Sequence, residues 1–238
     1  HEGSTLRTGR VVQVAVDQSG TTVRSLSDTS LSGRVSSDGT TFAGYELAAD
    51  VEILDTDGEG GYVSVYPSRI AGARLEEGDV RYYRLDANGD IDRLILEDVT
   101  GDTLDYVYVI SASTSSGDMS TSGTYRYLLD GESLTLSGSV IYDISRGGAA
   151  LLTDSSGSVE LFQQLEDVDL TSVDDLTATA NNRAYSLAED VQVLLRDEDG
   201  DLYPTTLSEI QGGDYSLTGW YDDFDYAAGG RIRIIVAE

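Results

Sequence analysis

The sequence contains no cysteine. That excludes disulfides, thiolate zinc sites and cysteine nucleophiles together, although it does not identify a compartment. Lysine is missing as well: all 15 basic residues are Arg, so Lys nucleophiles, Schiff bases and Lys-based isopeptide cross-links have no candidate. Histidine occurs once, as His1, which leaves nothing to build a Ser-His-Asp triad or a His metal site. No run approaches the ~18 apolar residues of a membrane-spanning helix, so no membrane insertion is expected of this chain. It opens His1-Glu2-Gly3-Ser4, with neither Met nor a signal-like apolar core, as a mature protein or an excised fragment would. No Gly-rich phosphate loop follows a strand and opens a helix.

Positive charge is scarce. The 15 basic residues face 43 acidic ones, and the resulting formal charge of −28 repels nucleic acid and anionic lipid, so no nucleic-acid partner is expected. The same imbalance occurs in proteins adapted to salt, where solvated carboxylates keep the surface soluble. Hydrophobic residues make up 39% of the chain, enough to bury cores and fold in spite of the charge.

What the sequence does have is a duplication. Tyr45-Glu46-Leu47-Ala48-Ala49-Asp50-Val51-Glu52-Ile53-Leu54 returns 140 residues later as Tyr185-Ser186-Leu187-Ala188-Glu189-Asp190-Val191-Gln192-Val193-Leu194. The match continues through an acidic Gly-rich turn, residues 55–61 against 197–201, through Ser68-Arg69-Ile70 against Ser208-Glu209-Ile210, and through Gly78-Asp79 against Gly213-Asp214. Each copy ends in a strand-like run, Arg93-Leu94-Ile95-Leu96 against Arg233-Ile234-Ile235-Val236. Two copies in 238 residues argue for two modular domains rather than one enzyme with a deep cleft.

Short alternating runs separated by Gly, Asp, Asn and Ser recur throughout, and they predict an all-β chain. The first copy reads as strands at 10–16, 22–26, 42–47, 51–54, 61–66, 79–85 and 91–97. The second reads as strands at 125–129, 133–136, 139–145, 149–153, 158–163, 184–187, 191–195, 201–203, 215–221 and 231–236. Brief helical turns are expected at 68–71 and 208–211, each with a Ser to cap it. Closure into a small barrel removes exposed sheet edges. The expected fold is therefore two tandem β-barrel-like domains, 7–110 and 125–238, joined by a Ser/Thr/Gly-rich segment, 111–124, that serves as a linker or as a hairpin tip.

Several stretches carry a resemblance: Asp98-Val99-Thr100-Gly101-Asp102-Thr103, Tyr125-Arg126-Tyr127-Leu128-Leu129-Asp130-Gly131, residues 181–191 and residues 213–222. Together they resemble the repeat region of secreted surface proteins of anaerobic Firmicutes that carry S-layer homology modules elsewhere in the same polypeptide. The resemblance implies an extracellular location at the bacterial cell surface or wall, and a structural or adhesive duty. It implies as partners other surface-layer or cell-wall components, further copies of the protein, or a glycan. The S-layer homology modules themselves are not visible here, so the resemblance does not extend to direct wall binding.

Three groups of residues are candidates for chemistry. Asp86, Asn88 and Asp90 place hard oxygen ligands at alternate positions, as a Ca²⁺ loop does. The twelfth position from Asp86 is Glu97, inside an expected strand, and the second copy has Ala227-Ala228-Gly229-Gly230 instead, so a solvated hairpin turn with at most weak Ca²⁺ binding is preferred. Trp220 and Tyr221 lead an aromatic cluster with Phe224 and Tyr226, interrupted by Asp222, Asp223 and Asp225. Aromatic faces beside carboxylates suit a glycan platform, but alternation favours their burial in a barrel core. Carboxylate pairs for glycoside hydrolysis carry no signal in a chain with 43 acidic residues. The reading is a non-catalytic spacer or assembly module without a bound cofactor, with a glycan- or host-binding adhesive module as the alternative.

Overall fold

Tyr45 to Leu54, the longest segment that recurs, folds as the bend around which each copy curls. In the computed structural model, residues 6–117 and 120–238 are described; His1 and the 118–119 portion of the 111–124 segment lie outside them. The chain divides into two compact units, residues 1–103 with 225–229, and residues 104–224 with 230–238.

The first unit opens with a hairpin, β1 (Val12–Asp17) and β2 (Gly20–Ser25), that forms a two-stranded sheet of its own. β3 (Gly33–Arg34), β4 (Thr41–Phe42), β5 (Tyr45–Thr56), β6 (Tyr62–Val65), β7 (Arg74–Leu75), β8 (Val80–Leu85) and β9 (Ile91–Glu97) follow. They make a five-stranded sheet in the order β4-β5-β9-β8, with β6 also on β5, and a small β3-β7 ribbon. Residues 225–229 belong to this unit: the Ala228 amide donates to the Val99 carbonyl, and Ala227 and Ala228 join its core.

The second unit holds two sheets. β10 (Asp105–Ser116), β11 (Thr121–Leu129), β12 (Glu132–Gly138), β13 (Gly147–Thr153) and β14 (Val159–Gln164) form a five-stranded antiparallel sheet ordered β12-β11-β10-β13-β14. β15 (Glu166–Leu170), β16 (Ser172–Val173), β17 (Thr177–Ala180), β18 (Arg183–Arg196), β19 (Leu202–Thr205), β20 (Leu217–Tyr221) and β21 (Arg231–Ala237) form a seven-stranded sheet ordered β15-β20-β21-β18-β17-β16, with β19 on β18. The fold is almost entirely β, with two strongly curled half-barrel sheets.

The duplication is repeated in the ladders, with one correction: Arg93 stands where Ile234 does and Asp92 where Arg233 does, so the sequence match of Arg93 with Arg233 is out by one residue. β5 runs parallel to β9, with Leu47 opposite Ile91 and Glu52 opposite Arg93; β18 runs parallel to β21, with Leu187 opposite Ile232 and Gln192 opposite Ile234. In each copy four residues of the long strand, 48–51 or 188–191, therefore face one residue of its mate. An unequal count of this kind bends and twists the longer strand, which is how a flat sheet becomes a half-barrel. The recurring Ala-x-Asp-Val is that corner. β6 and β19 then add to the same strands in the same register, Ile53 against Val65 and Val193 against Thr205. β19 is an edge strand, so Pro204 withholds no ladder hydrogen bond that a central strand would need.

The two half-barrels bury equivalent side chains: Ile53, Ile70, Ile91 and Leu94 in the first, Val193, Ile210, Ile232 and Ile235 in the second. Each such aliphatic burial stabilises by roughly 1.5–3 kcal/mol relative to exposure. The five-stranded sheet encloses a third cluster, with Val107, Val109, Tyr125, Ala149, Leu151 and Phe162 at its centre.

Several expectations change. The strand expected at 42–47 is broken by a turn at Ala43-Gly44, and its part from Tyr45 merges with the strand expected at 51–54, because the corner bends β5 without ending it. The span 125–238 is two sheets rather than one barrel, since residues 125–164 pair with β10 or within their own sheet, and the copy of the first half-barrel starts near Glu166. The division between units falls between residues 103 and 104 and not after 110, because Asp105–Ser116 is one uninterrupted strand. The described residues of 111–124 lie in the β10-β11 hairpin. The acidic turns align as Asp57–Gly61 with Asp197–Asp201, of equal length, since the Asp57 amide donates to the Gly61 carbonyl and the Asp197 amide to the Asp201 carbonyl. The helical turns are Pro67–Arg69 and Leu207–Gln211, and neither is capped by Ser: their N-caps, Tyr66 and Thr206, make no side-chain cap bond.

Candidate functional site

Asp86, Asn88 and Asp90 share one turn, in which backbone amides close onto the Asp86 carboxylate. Asp86 Oδ1 accepts the N–H of Asn88 at 2.8 Å and of Asp90 at 3.0 Å, and Asn88 Nδ2 donates to Asp86 Oδ2 at 3.1 Å. The Asp90 amide leads the causes that hold the Asp86 carboxyl below the usual carboxylate range. Gly89 takes φ +93°, the left-handed conformation that closes such a turn without a Cβ clash. The same device recurs at Asp154-Ser155-Ser156-Gly157-Ser158 and Asp197-Glu198-Asp199-Gly200-Asp201, where Asp154 and Asp197 each accept two downstream amides. Asp57 does so with the amides of Glu59 and Gly61. Much of the acidity at these turns is thus turn chemistry. Among the described residues no three His, Asp or Glu side chains converge as a metal-holding group.

Trp220 and Tyr221 are neighbours on β20 and serve different faces. The half-buried indole lies against the five-stranded sheet: Tyr108 meets it edge-on at 6.1 Å and 80°, and Gly147 and Gly148 pass directly beneath it. A Cβ on Gly147 would stand 2.1 Å from the indole Cη2. Its Nε1 is buried and has no hydrogen-bond partner among the described residues. Tyr221 turns to the half-barrel interior and stacks edge-on against Tyr185 at 5.1 Å, with the Arg183 guanidinium 4.7 Å from the Tyr185 centroid. Alternation along the strand predicts one inward aromatic; it does not reveal that a second sheet covers the outward one.

The buried polar groups escaped the sequence reading. In the second unit Asp222 and Arg233 form an ion pair at 2.6 Å with side chains 0% and 1% exposed. Asp222 also accepts the Arg231 amide at 2.5 Å and the Tyr106 hydroxyl at 3.2 Å, while the Arg233 guanidinium lies 4.4 Å over the Tyr106 ring. Arg233 is the one residue of β21 that faces the four-residue corner of β18, so the bend of the strand places its charge.

In the first unit Asp55 is fully buried and accepts the amides of Val99 (3.1 Å) and Thr100 (2.7 Å) and the Thr100 hydroxyl (2.6 Å). Burial raises its pKa, and these bonds counter part of the rise. Arg69 grips Asp102 through two bonds of 2.9 and 3.0 Å and donates to the carbonyls of Thr100 and Ala228. Asp98, at φ +53°, is pushed up to about 6 by desolvation and then by the charges of Asp55, Glu97 and Asp57. These groups hold residues 98–103 in a fixed loop, and with a pKa of about 6 Asp98 exchanges its proton near neutral pH. The only sequence signal for Asp55 is its period-two step from Ile53, which puts a carboxylate on the inward face of a strand.

The outward face of the first half-barrel borders a cavity of about 330 Å³, lined by Arg10, Val12, Leu54, Thr56, Arg93 and Ile95 among others. Comparison with known proteins brings no further assignment: no family model, no curated protein and no solved structure matches the chain.

Proposed function

We propose that the chain is a non-catalytic structural module of a bacterial surface-layer or wall-associated protein, working outside the cell in spacing, display or lateral assembly. The observation that carries this reading is the register-for-register repetition of one half-barrel, with Leu47, Glu52 and Ile53 paired as Leu187, Gln192 and Val193 are. Repetition of a whole element, corner included, is how solenoid and array proteins extend a surface. The polar groups support it too: Asp222, Arg233, Asp55 and Arg69 are engaged with backbone and with one another, in roles that hold loops and seams. A charge of −28 suits a solvated exterior in which divalent cations screen neighbouring modules.

Antibody labelling of intact cells that produce the protein tests the location. Labelling before permeabilisation, with loss of signal after protease shaving of whole cells, is expected; signal that appears only after permeabilisation overturns the surface reading.

A further inference from the structure

The N-terminal hairpin has an internal counterpart. Leu26 closes β1-β2 by donating its amide to the Val11 carbonyl, and Leu165 closes β13-β14 by donating to the Gly148 carbonyl, both at 2.9 Å. Counting from those closures, Val12 pairs with Ser25 as Ala149 pairs with Gln164, and Val14 pairs with Val23 as Leu151 pairs with Phe162. Both hairpins turn at Asp-x-Ser-Gly, where Asp17 accepts from Ser19 and Asp154 from Ser156. Each hairpin is followed directly by its half-barrel. The repeat unit is therefore longer than the half-barrel and includes this hairpin.

The two hairpins differ in what covers them. β13 pairs along its outer edge with β10, and Ala149, Leu151 and Phe162 are 0%, 3% and 8% exposed. β1 pairs with β2 alone among the described residues, and the equivalent Val12, Val14 and Val23 are 39%, 57% and 38% exposed. A two-stranded hairpin with a bare valine face and a free edge is a marginal structure and a ready template for another strand.

The cavity in the first unit tells the same story from the other face. In the second unit β10 points Tyr106 and Tyr108 toward the half-barrel: the Gln192 side chain donates to the Tyr106 carbonyl, and Arg196 donates to the Tyr108 hydroxyl at 2.8 Å. The outward residues beneath, Leu194, Ile234 and Val236, are 2%, 0% and 2% exposed. Their counterparts by register are Leu54, Arg93 and Ile95, and Thr56 stands where Arg196 does. All four line the 330 Å³ cavity. The open space in the first unit is thus the place that β10 fills in the second.

We propose that the free edge of β1, its valine face and this cavity together form an acceptor site for a three-stranded segment of the β10-β12 type, contributed by a neighbouring repeat unit. The register specifies the occupant's chemistry. Its first strand runs antiparallel to β1 across residues 10–14, because β10 runs so against Gly147 to Leu151. That strand alternates as Asp105-Tyr106-Val107-Tyr108-Val109 does: by this register the counterparts of Val109, Val107 and Asp105 stand opposite residues 10, 12 and 14, so that a β-branched side chain covers Val12, and the aromatic ones between them enter the cavity. Pairing of this kind is head-to-tail, so it propagates instead of closing on itself. The inference rests on the duplication, and it stands or falls independently of the surface location.

The test fuses a second copy of residues 104–138 ahead of Leu6 through a flexible linker, so that docking is intramolecular. Hydrogen exchange of the full chain is compared with and without the fusion. The expected result is a gain of at least about tenfold in protection at residues 10–14, the scale of ~1.4 kcal/mol in an equilibrium. Val14→Asp should abolish the gain; since Val14 is 57% exposed, the fold itself should survive. Unchanged exchange at residues 10–14 in the fusion, or a gain that persists in Val14→Asp, overturns the proposal. Protection that appears in the unfused chain and grows with its concentration names a second identical chain as the occupant, and overturns the proposed source.

Discussion

Single residues in this protein gain weight through what covers them. Asp222 and Arg233 compensate each other's burial, so Asp222→Ala takes the carboxylate away from a buried guanidinium and should cost about 3–5 kcal/mol in urea unfolding. Arg84 and Asp92, the pair on the corresponding strands of the first copy, have side chains 51% and 21% exposed, and Arg84→Ala should change stability by less than about 1 kcal/mol. Trp220→Ala empties the space over Gly147 and Gly148 and should cost roughly 3 kcal/mol; Gly148→Ala attacks the same contact from below, because its Cβ would meet the Trp220 side chain at 2.6 to 3.0 Å. If both variants melt like the parent, the indole is not packed as described. Asp98 gives a pH signature. Its folded pKa near 6 lies above the ordinary 3.8, so between those values the folded state binds more protons and stability falls as pH rises. Asp98→Asn should therefore raise the melting temperature near pH 7 and have little effect near pH 4. Its exposure to water keeps the gain small. A variant that melts lower near pH 7 contradicts the assignment.

At the scale of elements, the sequence discloses whatever repeats or alternates. The corner Ala48 to Val51 is visible because it returns at Ala188 to Val191, and the turns at Asp86 and Asp197 are visible because Gly and Asp are the residues that close them. What stays hidden is pairing at a distance. Nothing local to β10 says that its mates are β11 and β13, so residues 125–164 read as part of a barrel that they do not join. The kinship of β1-β2 with β13-β14 is masked by a turn of different length and by Val12 and Val14 standing where Ala149 and Leu151 do. Of the candidate site, the aromatic pair could be read from alternation, but the ionic groups could not. Asp55 and Arg233 look like any other charged residue until a second chain segment encloses them. The turns yield their own prediction. Gly89→Ala and Gly200→Ala, at φ +93° and +88°, should each cost about 1 kcal/mol, and Asp197→Ala, which strips two amides of their acceptor, about as much. Equal melting of all three variants and the parent would show that the turns are not held this way.

Over the whole molecule, charge dominates. A formal −28 spread over 238 residues places like charges within a Debye length of one another, so NaCl should raise the melting temperature by screening. EDTA at fixed high NaCl should then change nothing, since Asp86 already spends its oxygens on amides; a sharp fall would reveal a specific cation site and make Asp86, Asn88 and Asp90 the first residues to substitute. The same screening should let modules approach one another. Electron microscopy of the concentrated chain, run beside sedimentation velocity with and without salt and Ca²⁺, measures that step directly. A module built for lateral assembly should form regular filaments or sheets that appear on screening and dissolve on its removal. A chain that stays monomeric under every condition, while a glycan array gives a hit that Trp220→Ala abolishes without lowering the melting temperature, would make it a sugar-binding module instead.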